Sequence, residues 1–123
     1  MTDFTALAHR YLAAFNETDP TARKEQVAAL FAADATYTDP LADVSGHDGI
    51  DGFLGAAQQQ LAGFTFRLVG DVDAHHGQAR FRWAAGPSEL VVDDAPVVGF
   101  DVIVADDDGR IRSVYGFLDA VPS

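Results

Sequence analysis

The chain has 123 residues, enough for one domain around one core. Its 19 acids against 8 bases leave a formal net charge of −11, which repels phosphate backbones and argues against a nucleic-acid partner. The absence of cysteine excludes disulfides and thiolate metal sites, and the longest apolar runs fall far short of the ~20 residues that a membrane span needs.

No basic stretch followed by an apolar one opens the chain, so no leader is expected and cytoplasm is the expected compartment. No linker, repeat or low-complexity tract interrupts residues 1–123, which are read as a single domain. Phe4, Leu7, Ala8, Tyr11, Leu12 and Phe15 recur at helical spacing and predict an amphipathic helix over residues 3–17. Asp19-Pro20 reads as a cap with proline in the first turn of a second helix, whose apolar face carries Val27, Leu30 and Phe31. The segment "ATYTDP", residues 35–40, follows as a short strand. "LADVSGHDG" carries turn residues and reads as a loop. Ile50, Phe53, Leu54, Ala57 and Leu61 mark a third helix, closed by Gly63.

After Gly63 the period changes to two. Phe64, Phe66 and Leu68 alternate with Thr65, Arg67 and Val69, and after a turn at "AHHGQ" Phe81 and Trp83 alternate with Arg80 and Arg82. "AAGPSELVVDDAP" predicts a turn and a short or edge strand. "VVGFDVIVA" and "RIRSVYGFLD" are two strands joined by the hairpin signal "DDDG". Helices first and strands afterwards predict an α+β domain with helices on one face of an antiparallel sheet. Val98, Phe100, Val102 and Val104 make the other face of their strand apolar as well, and Tyr115 and Phe117 continue the pattern. A second copy of the chain is the simplest cover, so a homodimer is expected.

Two acids fall inside strand patterns. Strands alternate faces, so Asp39 points the same way as Ala35 and Tyr37, and Asp101 the same way as Val97, Gly99 and Ile103. Tyr11 sits on the apolar stripe of the first helix, where its hydroxyl needs a partner. Singly, each has a structural reading: a core tyrosine, a turn acid before Pro40, an exposed acid in a reversed register. Together, a tyrosine and two acids in one apolar cavity would have displaced pKa values.

The stretches "HRYLAAFNETD", "VAALFAADATYTDP", the "SG" before helix three and "GFDVIVADDDGRIRSVYGFLD" resemble the SnoaL-like and ketosteroid-isomerase-like group of the nuclear-transport-factor-2 superfamily over residues 3–119. The resemblance implies a cone-shaped α+β fold, with three helices packed on a curved antiparallel sheet around one apolar pocket, commonly in a homodimer. It places Tyr11 on the oxyanion-hole tyrosine of ketosteroid isomerase, Asp39 on its general base and Asp101 on its protonated oxyanion-hole acid, a division of roles known for that enzyme. Leu54 stands where the resemblance would place a supporting tyrosine. Phe15, Leu54, Trp83, Val114, Gly116 and Leu118 would line the pocket.

Other chemistry finds little support. The segment "VADDDGRIRSVY" places Val104 and Tyr115 at the first and twelfth positions of a calcium loop, where ligands are required. His75 and His76 adjoin a turn glycine with no further ligands at suitable spacing. His9 is nearly opposite Tyr11 on a helical wheel and is expected outside the pocket. Phosphate-loop and dinucleotide fingerprints are missing. An Asp-Arg-Asp epoxide-hydrolysing set lacks its arginine, because Arg67, Arg80 and Arg82 alternate away from the apolar face. The expected activity is acid–base chemistry on a small apolar carbonyl compound, without cofactor or metal: isomerisation, cyclisation or dehydration. The alternative is a non-catalytic dimeric domain that binds an apolar small molecule.

Overall fold

The computed structural model describes residues 2–87 and 95–121. The segment read as a turn and edge strand falls largely on residues 88–94, outside the described residues. Helix α1 spans Phe4–Asn16 and starts where the Asp3 side chain accepts the Ala6 N–H. Helix α2 spans Pro20–Leu30 with proline in its first turn. Strands β1 (Phe31–Asp39) and β2 (Ala42–Ser45) precede helix α3 (Gly46–Gln60). Strands β3 (Phe64–His75), β4 (Gln78–Pro87), β5 (Val97–Ala105) and β6 (Ile111–Ala120) complete the chain.

One sheet holds all six strands in the order β2-β1-β6-β5-β4-β3. The β1–β6 pair is parallel and the other pairs are antiparallel, so the sheet is mixed where an antiparallel one was expected. The parallel pair arises because β2, α3, β3, β4 and β5 intervene before β6 returns beside β1. His76 and Gly77 have φ of 53° and 80°, the left-handed pair that a two-residue hairpin turn demands between β3 and β4.

Two assignments shift. Phe31 opens β1 instead of closing α2, yet it stays buried, so the apolar face passes from helix to strand without a break. "LADVSGHDG" is not a loop: Asp39 pairs with Ala42 across Pro40-Leu41, which makes residues 42–45 a strand, and α3 begins at Gly46. Thus β1 and β2 form a short hairpin that ends at Asp39.

Three polar ties hold the helices to each other and to the sheet. Asn16 exchanges two hydrogen bonds with the backbone of Phe66, at 2.8 and 2.7 Å, and so fixes the end of α1 against β3. Arg23 of α2 contacts Asp51 of α3 at 2.8 Å and donates to Gln58. Gln58 in turn donates to the carbonyls of Phe15 and Glu17 at the end of α1. The Arg23 and Asp51 side chains are 12% and 10% exposed, so removing one strands the other's charge. Asp51→Ala is expected to lower stability by ~3 kcal/mol in urea unfolding; a loss under ~1 kcal/mol would mean that Arg23 regains water at no cost.

The outer face of the sheet carries Val98, Phe100, Val102 and Val104 half-buried, with Tyr115 and Phe117 beside them at 49% and 58% exposure. Phe100 pairs with Phe117 and Val102 with Tyr115, so these rings and methyls form one continuous apolar strip. No helix among the described residues is long and apolar enough to cross a membrane.

Candidate functional site

The inner face of β5 is set by alternation. Val97, Gly99, Asp101 and Ile103 are buried in turn, and Asp101 is 3% exposed. Beneath the helices its carboxyl meets Tyr11, whose hydroxyl donates to Asp101 Oδ2 at 2.7 Å across 90 residues of sequence. Tyr11 itself is enclosed by the edges and faces of Phe15, Phe31 and Phe81.

Asp39 ends β1 on the same side of the sheet. Its Oδ1 accepts the Leu41 N–H at 2.8 Å, which turns the chain into β2, and its Oδ2 accepts the Tyr37 hydroxyl at 2.7 Å. Both readings of this acid therefore hold: it shapes a turn, and it faces inward. The two acids meet over Gly116. A side-chain carbon there would stand 2.9 Å from Asp101 Oδ1 and 3.2 Å from Asp39 Cβ. Glycine at this position is a condition for bringing both carboxyls together.

The sequence set Tyr37 on the same face as Asp39 but did not single it out as a site residue. The signal was present, since it lies two residues before Asp39 and so shares its face. Its hydroxyl acts on Tyr11 as well as on Asp39, so it supplies a second phenol where Leu54, a fully buried core residue, supplies none. The remaining lining residues divide. Phe15, Leu54, Trp83, Val114 and Gly116 are buried on the inner side, while Leu118 is half-buried. Phe53, read from the sequence on the apolar face of the third helix, packs 4.8 Å from the Tyr37 ring. His9 is exposed, Arg80 and Arg82 point outward, and Arg67 is half-buried near the Pro87 carbonyl.

Burial sets the electrostatics. It pushes Asp101 up to about 6; donors at Tyr11 and Trp83 pull against this, and the Asp39 charge adds to it. Burial likewise raises Tyr11 well above the usual phenol value, and the Asp101 charge raises it further. Tyr37 is raised by burial and then by the charges of both acids. Each phenol thus keeps its proton at neutral pH and serves as a donor. No group of three or more potential ligands for a metal ion occurs among the described residues.

Aromatic rings pack on one another on the inner face near the acids. Phe15 lies 5.0 Å from Phe66, and Phe66 lies 5.2 Å from Trp83. Two depressions of about 400 and 340 Å³ lie elsewhere, one lined by Asp3, Arg10 and Asp107 and the other by Asp73, His75 and Arg80. Neither touches Tyr11, Asp39 or Asp101, and their charged walls do not suit an apolar ligand.

Asp101 yields a pH prediction. Its folded pKa of about 6 exceeds the unfolded value near 3.8, so the folded state binds the proton more tightly. Stability from this group is complete below the unfolded pKa and is lost as pH rises through about 6. Asp101→Asn keeps an acceptor for Tyr11 and removes the charge. It is expected to stabilise the protein at pH 7 by on the order of 3 kcal/mol, with the gain fading toward pH 4, as measured by urea unfolding across pH. An equal gain at both pH values would show that the charge is not its source.

The family model of the SnoaL-like domain matches residues 8–114. A provisionally named isomerase of the SnoaL-like family from Agrobacterium tumefaciens is similar in structure with a TM-score of 0.88; it is 36% identical, and the match covers 94% of this chain and 97% of that one. A provisionally named polyketide cyclase from Sinorhizobium meliloti aligns at TM-score 0.70 and 21% identity, over 90% and 93% of the two chains. A protein with a ketosteroid-isomerase-like fold from Catenulispora acidiphila, in complex with trimethylamine, aligns at 0.71 and 20% identity, over 94% and 85%. The last two show the fold alone. No curated protein matches the chain.

Proposed function

The chain belongs to the SnoaL-like domain family, and from that premise we propose that it is a cofactor-independent acid–base enzyme acting on a small apolar carbonyl compound. One observation carries the reading: two carboxyls over a single glycine, each with a tyrosine hydroxyl donating to it at 2.7 Å. In the proposed reaction the Asp39 carboxylate takes a proton from the carbon beside the carbonyl. The electron pair moves onto the carbonyl oxygen as the enolate forms. Tyr11 and a protonated Asp101 donate to that oxygen. The proton held on Asp39 then returns to a different carbon in an isomerisation; in a cyclisation it goes to the oxygen of the second carbonyl that the enolate attacks, and in a dehydration to the hydroxyl that the enolate expels as water. Tyr37 holds Asp39 in place, and the surrounding rings keep water out and favour an apolar substrate.

The second reading is a domain that binds an apolar molecule without turning it over. Asp39→Asn separates the two. It keeps acceptors for the Tyr37 hydroxyl and the Leu41 N–H but removes the base. Deuterium uptake by a cyclic enone is expected to fall by ~10²–10⁴ with the fold intact. Unchanged uptake would remove Asp39 as base, and no uptake by the unmodified protein over a panel of enones would support the binding domain.

The homodimer belongs to the same proposal. The apolar strip of Val98, Phe100, Val102, Tyr115 and Phe117 suits a second copy of the same strip. Phe117 is 58% exposed, so Phe117→Asp should leave the fold unchanged while introducing a charge into the contact. Light scattering is expected to give a dimer before the substitution and a monomer after it; a monomer in both would remove the proposal.

A further inference from the structure

Trp83 holds an indole N–H near the Asp101 carboxyl that completes no hydrogen bond. The residue is 8% exposed, and its Nε1 is buried without a hydrogen-bond partner. Buried donors in folded proteins are almost always paired, so an orphan needs a reason. Its position is not accidental packing slack. Trp83 pairs across the strands with Gly99, and the indole lies directly on that glycine. A side-chain carbon on residue 99 would stand 2.2 Å from Cε2 and Cζ2 and 2.7 Å from Nε1, so any other residue would push the ring away. On its other side the ring rests 5.2 Å from Phe66. The indole is thus clamped with its N–H edge toward the Asp101 carboxyl, whose charge it favours from nearby without forming a hydrogen bond.

Asp101 has room for such a partner. Its Oδ2 accepts from Tyr11, while its Oδ1 lies over Gly116. We propose that the Trp83 Nε1–H is the third hydrogen-bond donor for an anionic oxygen bound beside Tyr11 and Asp101, which makes the ligand class a planar enolate or phenolate. This rests on the acid–base reading of the site and extends it. A neutral indole donates but cannot accept, so it discriminates for an oxygen bearing negative charge over a hydroxyl that must donate.

The chain has a single tryptophan, so one indole N–H resonance reports the site without ambiguity. The probe is 4-nitrophenol, whose own absorbance follows binding in a variant without the indole. Binding is expected to move the indole proton downfield and slow its exchange with water. Trp83→Phe removes the N–H together with part of the ring, so it is read alongside the resonance; affinity for the phenolate is expected to fall at least about tenfold. Asp101 should also titrate higher in Trp83→Phe, since a donor that lowers it is gone. Should the phenolate bind with the indole resonance unmoved, the third donor is refuted while the acid–base reading stands. Should it bind neither protein, both fall. Should Trp83→Phe fail to fold, the resonance in the unmodified protein decides alone.

Discussion

An acid is held inside an aromatic core. Asp101 is buried and would rather be neutral, yet it sits beside a second carboxyl and has a phenol donating to it. Much of the local structure answers to that placement. Gly116 must lack a side chain because both acids lie against it, and Gly99 must lack one because the indole lies there. Tyr11 must be on the inner stripe of α1 at the height of β5. Desolvation is the largest influence on Asp101, so anything that lets water in weakens the arrangement more than the loss of a single contact.

The helices are held in a way that preserves this depth. The paired bonds between Asn16 and Phe66 stop α1 from sliding along β3. Gln58 reaches the last carbonyls of α1, and Arg23 joins Gln58 to α2 and Asp51. A shift of α1 by one residue would move Tyr11 about 1.5 Å along the axis and turn it away from Asp101. Polar ties suit this task better than apolar contacts, because directional bonds fix register where a smooth apolar face tolerates sliding.

Much of this was legible in the sequence, because two periods sufficed. A spacing of three and four put Tyr11 on the buried stripe, and a spacing of two put Asp39 and Asp101 on the inner face. What escaped depends on pairing between distant segments. Tyr37 is the exception: it shares a face with Asp39 two residues away, but spacing does not say that its hydroxyl turns to the carboxylate. The four residues of β2 contain only one large apolar side chain, Val44, so turn residues dominated the pattern there. Phe31 suits a helix face and a strand equally, and its place was decided by the junction. The orphan indole could not be read at all: it follows from the register that sets Trp83 against Gly99, next to an irregularity between Val98 and Gly99.

The direction of one hydrogen bond links these features to the proposed chemistry. In the structure Tyr11 donates to Asp101, as it does when Asp101 is charged. That proton is then engaged and unavailable to an enolate. When Asp101 takes up a proton, it no longer needs Tyr11, and both groups can donate to a ligand oxygen. An anion arriving beside Asp101 favours this uptake, because it raises a carboxyl that burial has already moved to about 6. On the proposed reading, ligand binding and protonation of Asp101 are therefore coupled, and the site becomes an oxyanion hole only as the oxyanion appears. Asp39 differs in having both oxygens occupied by the Tyr37 hydroxyl and the Leu41 N–H. The same fold thus gives two aspartates different tasks: one is fixed by two donors at a strand end, and the other is held in the interior with its protonation state open to the ligand.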